Sequence, residues 1–242
     1  MKNLSGKTTV ITGASKGIGA ALARQLSGEG VHTALLARSA DHLDQLANSI
    51  KTESTRAIAV PTDITKWEQV KSAYERIMSE FGTIDYLINN AGVAHWNPVV
   101  DCTEEQWDEM MNLNLKGMFL CTKLFTPVMM KAKSGHVINI SSSLGKHAAP
   151  GFSGYSASKF AITGFSEAIA LELKPQGVKV TTVYPGIVDT EFRDHMTNRP
   201  KATAWQDTSK MLTADDVAEA ILYVMKTEDT AIPSELFLNA AL

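Results

Sequence analysis

Of the five tyrosines in the chain, only Tyr155 is followed four residues on by a lysine, Lys159. On a helix that spacing puts the phenol and the ammonium on one face. A free phenol has a pKa near ~10, too high for easy proton exchange at neutral pH. A neighbouring ammonium favours the phenolate and lowers that value. Tyr155 is then a general acid in one direction of a reaction and a general base in the other. Surface cation–aromatic contacts show the same spacing, so the pair does not decide the matter alone. Ser142 lies thirteen residues before Tyr155, at the C-terminal end of the run Val137-Ile138-Asn139-Ile140. A hydroxyl there can hydrogen-bond a carbonyl and stabilise a developing alkoxide. Ser141 and Ser143 flank it, and a polar loop explains three serines equally well. Only the spacing to Tyr155 singles out Ser142.

A second group of residues has the chemistry to hold a phosphate. The stretch Thr12-Gly13-Ala14-Ser15-Lys16-Gly17-Ile18-Gly19 follows a β-branched run directly and opens a helical one. Its GxxxGxG spacing is a relative of the dinucleotide fingerprint. Gly13 permits a tight turn, Gly17 a close backbone approach to a pyrophosphate, and Gly19 close helix–strand packing. Free N–H groups at the helix start, with the helix dipole, favour the phosphate charge. A plain tight turn needs the same glycines, but the position after the first strand points to a dinucleotide. The second strand ends Leu36-Ala37-Arg38-Ser39, with no carboxylate for ribose hydroxyls. Lys16 and Arg38 suit a ribose 2′-phosphate instead, Arg38 through two N–H bonds. The plain alternative is two solvated cations. The expected cofactor is NADP(H), whose oxidised ring would further favour the Tyr155 phenolate.

These residues need a scaffold, and the hydrophobic pattern supplies one. Short β-branched runs alternate with longer amphipathic segments. Strands are expected at Thr8 to Thr12, His32 to Leu36, Ala57 to Val60, Tyr86 to Ile88, His136 to Ile140, Val178 to Tyr184 and Glu235 to Leu238. Helices are expected at Ile18 to Ser27, Asp41 to Lys51, Lys66 to Phe81, Glu104 to Lys131, Ser156 to Leu173 and Ala214 to Met225. Alternation of this kind implies an α/β fold with a parallel sheet covered on both faces. Right-handed crossovers make it a doubly wound, three-layer Rossmann-type sheet of about seven strands. No linker or repeat divides residues 1–242, so a single domain is expected. Only the segment from Glu191 to Leu212 lacks clear periodicity. It reads either as a substrate lid or as a short surface helix with loose ends.

Composition excludes several classes. The 242 residues are 44% apolar and 20% charged, ordinary for a globular chain with a sizeable core. A net charge of -3 with scattered basic residues gives no nucleic-acid patch. Cys102 and Cys121 are the only cysteines, and they read as reduced thiols. The six histidines are dispersed and show no metal-ligand spacing. No apolar run approaches the ~18 residues of a membrane span, and no signal peptide opens the chain. A cytoplasmic enzyme with a small-molecule partner is expected, without metal, membrane or nucleic acid.

The ordered motifs resemble those of the short-chain dehydrogenase/reductase superfamily, in its NADP(H)-preferring branch of about 250 residues. The likeness spans essentially the whole chain. Thr12 to Gly19 is similar to the family's glycine turn. Asp63-Ile64 matches the pair whose Asp contacts the adenine amino group. Asn89-Asn90-Ala91-Gly92 matches the motif that supports the sheet and lines the cofactor. Asn114 matches the family's asparagine, which the resemblance makes a holder of a relay water beside Lys159. Ser142, Tyr155 and Lys159 complete that catalytic tetrad. Pro185-Gly186-Ile187-Val188-Asp189-Thr190 matches the loop whose Val188 backbone and Thr190 hydroxyl hold the nicotinamide amide. The resemblance implies hydride transfer to a carbonyl carbon, with Ser142 orienting the carbonyl and Tyr155 giving the proton.

One departure stands out. The tail from Pro233 to Leu242 lacks the Asp-Gly-Gly-type turn found in many members. That weakens the case for a homotetramer built on the tail and leaves a homodimer through the two long helices. The leading expectation is an NADPH-dependent carbonyl reductase. An NADP-dependent alcohol dehydrogenase working in oxidation is the alternative, and a non-catalytic nicotinamide-binding regulator is a third. Substrate contacts are expected from Ala94, His95 and Trp96, from Leu144 to Pro150, and from the 191–212 segment.

Overall fold

A computed structural model of the chain describes residues 1–196 and 207–240. Seven parallel strands form one sheet: β1 (Thr8–Thr12), β2 (His32–Ala37), β3 (Ala57–Pro61), β4 (Tyr86–Asn89), β5 (Gly135–Ile140), β6 (Val178–Pro185) and β7 (Glu235–Leu238). Their order is β3-β2-β1-β4-β5-β6-β7. Both faces are covered, which is why the central strands β1, β4 and β5 are buried along almost their whole length rather than on alternate residues. All five residues of β1 are buried.

Helices α1 (Gly17–Gly28), α2 (Ala40–Ile50) and α7 (Ala214–Met225) cover one face. Leu22, Leu26, Leu43 and Ile221 pack there against Ile11, Leu35 and Ile138. Helices α3 (Trp67–Phe81), α5 (Met118–Ala132) and α6 (Ser153–Leu173) cover the other. Val70, Ile77, Phe125 and Ile169 meet Val10, Leu36, Leu87 and Val137 on that side. Among the described residues no helix is long and apolar enough to cross a membrane.

The chain winds outward from β1 to β3, then returns to place β4 on the other flank of β1. Val10 is therefore paired to Ala34 of β2 and to Leu87 of β4. At such a reversal the loops after the two neighbouring strands diverge and leave a crevice. A cleft of about 810 Å³ opens there, at the C-terminal strand ends.

The long helix expected over Glu104 to Lys131 is not continuous. Helix α4 covers Glu104–Met110, a π-helical segment runs over Met111–Gly117, and α5 follows. Asn114 supplies the reason. Its Oδ1 accepts from the Val93 N–H at 2.8 Å and its Nδ2 donates to the Val93 carbonyl at 2.9 Å. Gly117 then brings the backbone against Ile64, where a Cβ would stand 2.8 Å from that side chain. A wider helical turn satisfies both contacts at once.

Candidate active site

The glycine turn is built by close backbone approach. Gly13 has φ +64°, and a Cβ there would lie 2.7 Å from the Ala91 Cα. A Cβ on Gly19 would lie 2.5 Å from the Gly13 carbonyl oxygen. These contacts match the expected roles of tight turn and close packing. Helix α1 starts after Lys16 without any side-chain cap, so its first N–H groups point toward the cleft unclaimed by side chains.

Thr12, to which the sequence reading gave no role of its own, stitches this turn to the loop after β4. Its hydroxyl oxygen accepts from the N–H groups of Asn90 and Ala91, at 3.0 and 3.1 Å. Asn90 answers by donating its side-chain amide to the carbonyls of Thr12 and Gly13, at 3.0 and 3.2 Å. A buried threonine at a strand end before a glycine turn was the available signal.

Around the cleft the structure gathers most of the catalytic and cofactor residues singled out above, whereas the expected substrate contacts Ala94, His95, Trp96 and residues 145–150 do not line it. Gly13, Ser15, Lys16, Gly17, Ile18 and Arg38 line one end. Asp63, Ile64, Asn90, Ala91 and Gly92 continue the wall, with Pro185, Gly186, Val188 and Thr190 on the β6 side. Ser142, Tyr155 and Lys159 line it as well. Gly19 and Asn114 do not; both are buried behind it. His42 lines the wall beside Arg38 and had drawn no attention in the sequence. One carboxylate oxygen of Asp63 accepts from the Thr65 N–H and hydroxyl, which fixes the loop after β3.

Tyr155 and Lys159 share a face of α6, as their spacing required. The Lys159 Nζ stands 5.6 Å from the Tyr155 ring centre and donates to the Ile140 carbonyl at 2.9 Å. The Ser142 hydroxyl oxygen accepts from the Leu144 N–H at 3.1 Å, which holds the serine at the end of β5. Ser141 donates to the Lys159 carbonyl, tying β5 to α6. Ser158 joins the cluster from the same helix. It receives the Asn114 amide at 2.9 Å and donates to the Tyr155 carbonyl at 2.7 Å. Asn114 thus reaches α6 directly through Ser158 rather than through the Lys159 ammonium.

The electrostatics differ from the simple expectation. Burial pushes the Tyr155 phenol up to about 12, although the Ser142 hydroxyl bond pulls it down. Burial also lowers Lys159 to about 7. Both shifts disfavour the charged form of a group removed from water. The protein alone therefore does not produce the lowered phenol pKa that the Tyr155–Lys159 spacing suggested. It holds a neutral phenol beside a lysine that is readily deprotonated.

An apolar pocket adjoins Tyr155. Its ring centre lies 6.2 Å from that of Phe152 and 6.0 Å from that of Phe192. Val93, Ala94, Met110 and Met196 complete this cluster, with Trp96 and Leu144 packed against it. Of the segment expected as a lid, the described part is a short helical turn at Glu191–His195, Met196, and residues 207–212. Residues 197–206, with Pro200 and Trp205, lie outside the described residues.

Comparison with known proteins bears on the family and the fold. The sequence model of the family described as short chain dehydrogenase matches residues 7–201. A glycine betaine reductase of Emericella nidulans is 33% identical over 98% of this chain, which spans only 19% of that protein's length. A 3-oxoacyl-(acyl-carrier-protein) reductase of Staphylococcus epidermidis is 34% identical over 79% of both chains. An alcohol dehydrogenase of Thermococcus sibiricus, solved with 5-hydroxy-NADP, superposes with a TM-score of 0.87 at 30% identity, over 97% of each chain. A 3-ketoacyl-(acyl-carrier-protein) reductase of Brucella melitensis, solved with NADH, gives 0.88 at 26% identity, also over 97% of each chain.

Proposed function

The chain belongs to the short-chain dehydrogenase/reductase superfamily and is an oxidoreductase of that family, and from that premise we propose that it uses NADPH to reduce a ketone or aldehyde to an alcohol. One observation carries the reading. A single cleft joins Ser142, Tyr155 and Lys159 to an uncapped helix N-terminus flanked by Lys16 and Arg38.

The residues fit the cofactor. The backbone of Gly13, Ser15, Gly17 and Ile18 would take the pyrophosphate on the α1 dipole, with Gly19 keeping helix and strand close. Lys16 and Arg38 would hold a ribose 2′-phosphate. Asp63 and Ile64 would flank the adenine, and Asn90, Ala91 and Gly92 the neighbouring ribose. Pro185, Gly186, Val188 and Thr190 would hold the nicotinamide end, with Tyr155 and Lys159 at its ribose. When bound, the reduced nicotinamide supplies the hydride.

The chain's own residues supply the rest. Ser142 donates a hydrogen bond to the carbonyl oxygen and orients it. The Tyr155 phenol, kept neutral by burial, gives its proton to the same oxygen as charge develops there. Lys159 in its protonated form, from its place beside the phenol, stabilises the phenolate left behind, and Asn114 secures that arrangement through Ser158. Glu191, Phe192 and Met196, from the start of the 191–212 segment, lie against the substrate, the chain acts as one domain in the cytoplasm, and it assembles as a homodimer or homotetramer.

NADPH preference gives a direct test. Arg38→Asp should raise the Michaelis constant for NADPH by roughly tenfold or more relative to that for NADH, the scale of one lost charge-assisted pair. Equal changes for both cofactors would overturn the assignment of Arg38.

A further inference from the structure

The pocket beside Tyr155 has a composition that selects among carbonyl compounds. Phe152 and Phe192 both contact the Tyr155 ring, and Leu144, Val93 and Met196 line the same cleft. Next to this cluster two loops are stitched together. The Asn97 N–H donates to the Gly151 carbonyl at 2.9 Å. The Trp96 indole packs so closely on Gly151 that a Cβ there would lie 2.3 Å from the ring.

Charge is distributed unevenly along the cleft. The end lined by the glycine turn carries Lys16 and Arg38, whereas the wall around Tyr155 carries Glu109 and Glu191. Glu109 is fixed in place, because its carboxylate meets the His95 Nε2 at 2.8 Å. The cation on this side, Arg193, is engaged by the Asp189 carboxylate at 3.1 Å and the Met211 sulfur. Lys159 is held by the Ile140 carbonyl. An anion entering here would leave water to face the Glu109 and Glu191 carboxylates, while Arg193 and Lys159 are already engaged.

Building on the reductase reading above, we propose that the substrate is an uncharged ketone or aldehyde bearing an aromatic or bulky apolar group, and that Glu109 excludes carbonyl compounds carrying a carboxylate. The apolar group lies along Phe192, Leu144 and Met196, beside the Tyr155 ring, with its carbonyl toward Ser142 and Tyr155. Glu109 determines specificity and takes no part in the hydride or proton step.

Acetophenone and 4-acetylbenzoate, the same ketone without and with a carboxylate, provide the test. Each is titrated by calorimetry onto the full chain, with and without saturating NADP⁺, where no hydride is available. Acetophenone should bind roughly tenfold tighter or better, and in Glu109→Gln that ratio should fall to about threefold or less. Equal or tighter binding of 4-acetylbenzoate, a ratio unmoved in Glu109→Gln, or no binding of either ketone would overturn the proposal. Turnover with NADPH is then measured separately. The expected binding preference without any turnover would sink the reductase reading while leaving the pocket's selectivity standing.

Discussion

At the scale of single residues, the two titratable groups of the site are shifted in opposite directions by one cause. Burial raises Tyr155 to about 12 and lowers Lys159 to about 7, so near neutral pH the phenol stays uncharged while the lysine gives up part of its ordinary charge. A phenol held neutral is a proton donor, the form that reduction requires. Lys159 also leaves a mark on stability. Its folded pKa lies below its unfolded one, so between about pH 7 and 10.5 the unfolded chain binds more protons. Stability contributed through this group therefore rises with pH across that window and is lowest below it. Lys159→Met should raise the melting temperature of the cofactor-free protein at pH 6 by roughly 4 °C, a gain that shrinks toward pH 10. A gain that stays constant with pH would contradict the burial argument. The residue types and spacing were legible in the sequence, and so were Arg38 and Lys16. The direction of the Tyr155 shift was not, because spacing reports which groups are neighbours and says nothing of how much water reaches them.

At the scale of elements, strand positions came through best. Thr8–Thr12 and Glu235–Leu238 were read to the residue, and the other strands to within one at either end. The β1 run, buried on both faces, carries an unambiguous signal, whereas β7 at the sheet edge is half exposed. The break in the long helix over Glu104 to Lys131 carried no signal in the residue types. Its cause is a tertiary contact, the double hydrogen bond from Asn114 to Val93. Asn114 also reaches Ser158, whose hydroxyl is bonded to the Tyr155 carbonyl. Asn114→Leu keeps the volume and removes these bonds, leaving the Val93 N–H and carbonyl buried without partners. The variant should lose on the order of 2 kcal/mol of stability, read as a lower denaturant midpoint with an unchanged slope. An unaltered midpoint would show that the π-helical segment does not depend on this side chain.

At the scale of the whole molecule, the winding reversal between β1 and β4 makes the cleft, and the chain order of the motifs follows from it. The turn after β1, the loop after β4, the serines after β5 and the loop after β6 meet at the strand ends although they are far apart in sequence. That convergence is why weak motifs gain force together. Assembly is less legible, because an apolar helix face packed on its own sheet and one packed on a second copy look alike in sequence. Trp107, Phe119, Phe160 and Leu171 are exposed on α4, α5 and α6, which fits a dimer through these helices. Sedimentation should give a species of twice or four times the 26.2 kDa chain mass; a monomer at micromolar concentration would refute it. The central claim remains that Tyr155 gives the proton in an NADPH-dependent carbonyl reduction. The most direct measurement compares wild type with Tyr155→Phe, in NADPH oxidation over a panel of uncharged aromatic ketones and aldehydes and in NADPH affinity by calorimetry. The account predicts turnover in the wild type, a loss of roughly 10³-fold or more in the variant, and NADPH affinity within about threefold in both. Near-normal turnover by Tyr155→Phe, or no NADPH oxidation by the wild type despite tight binding, would contradict it.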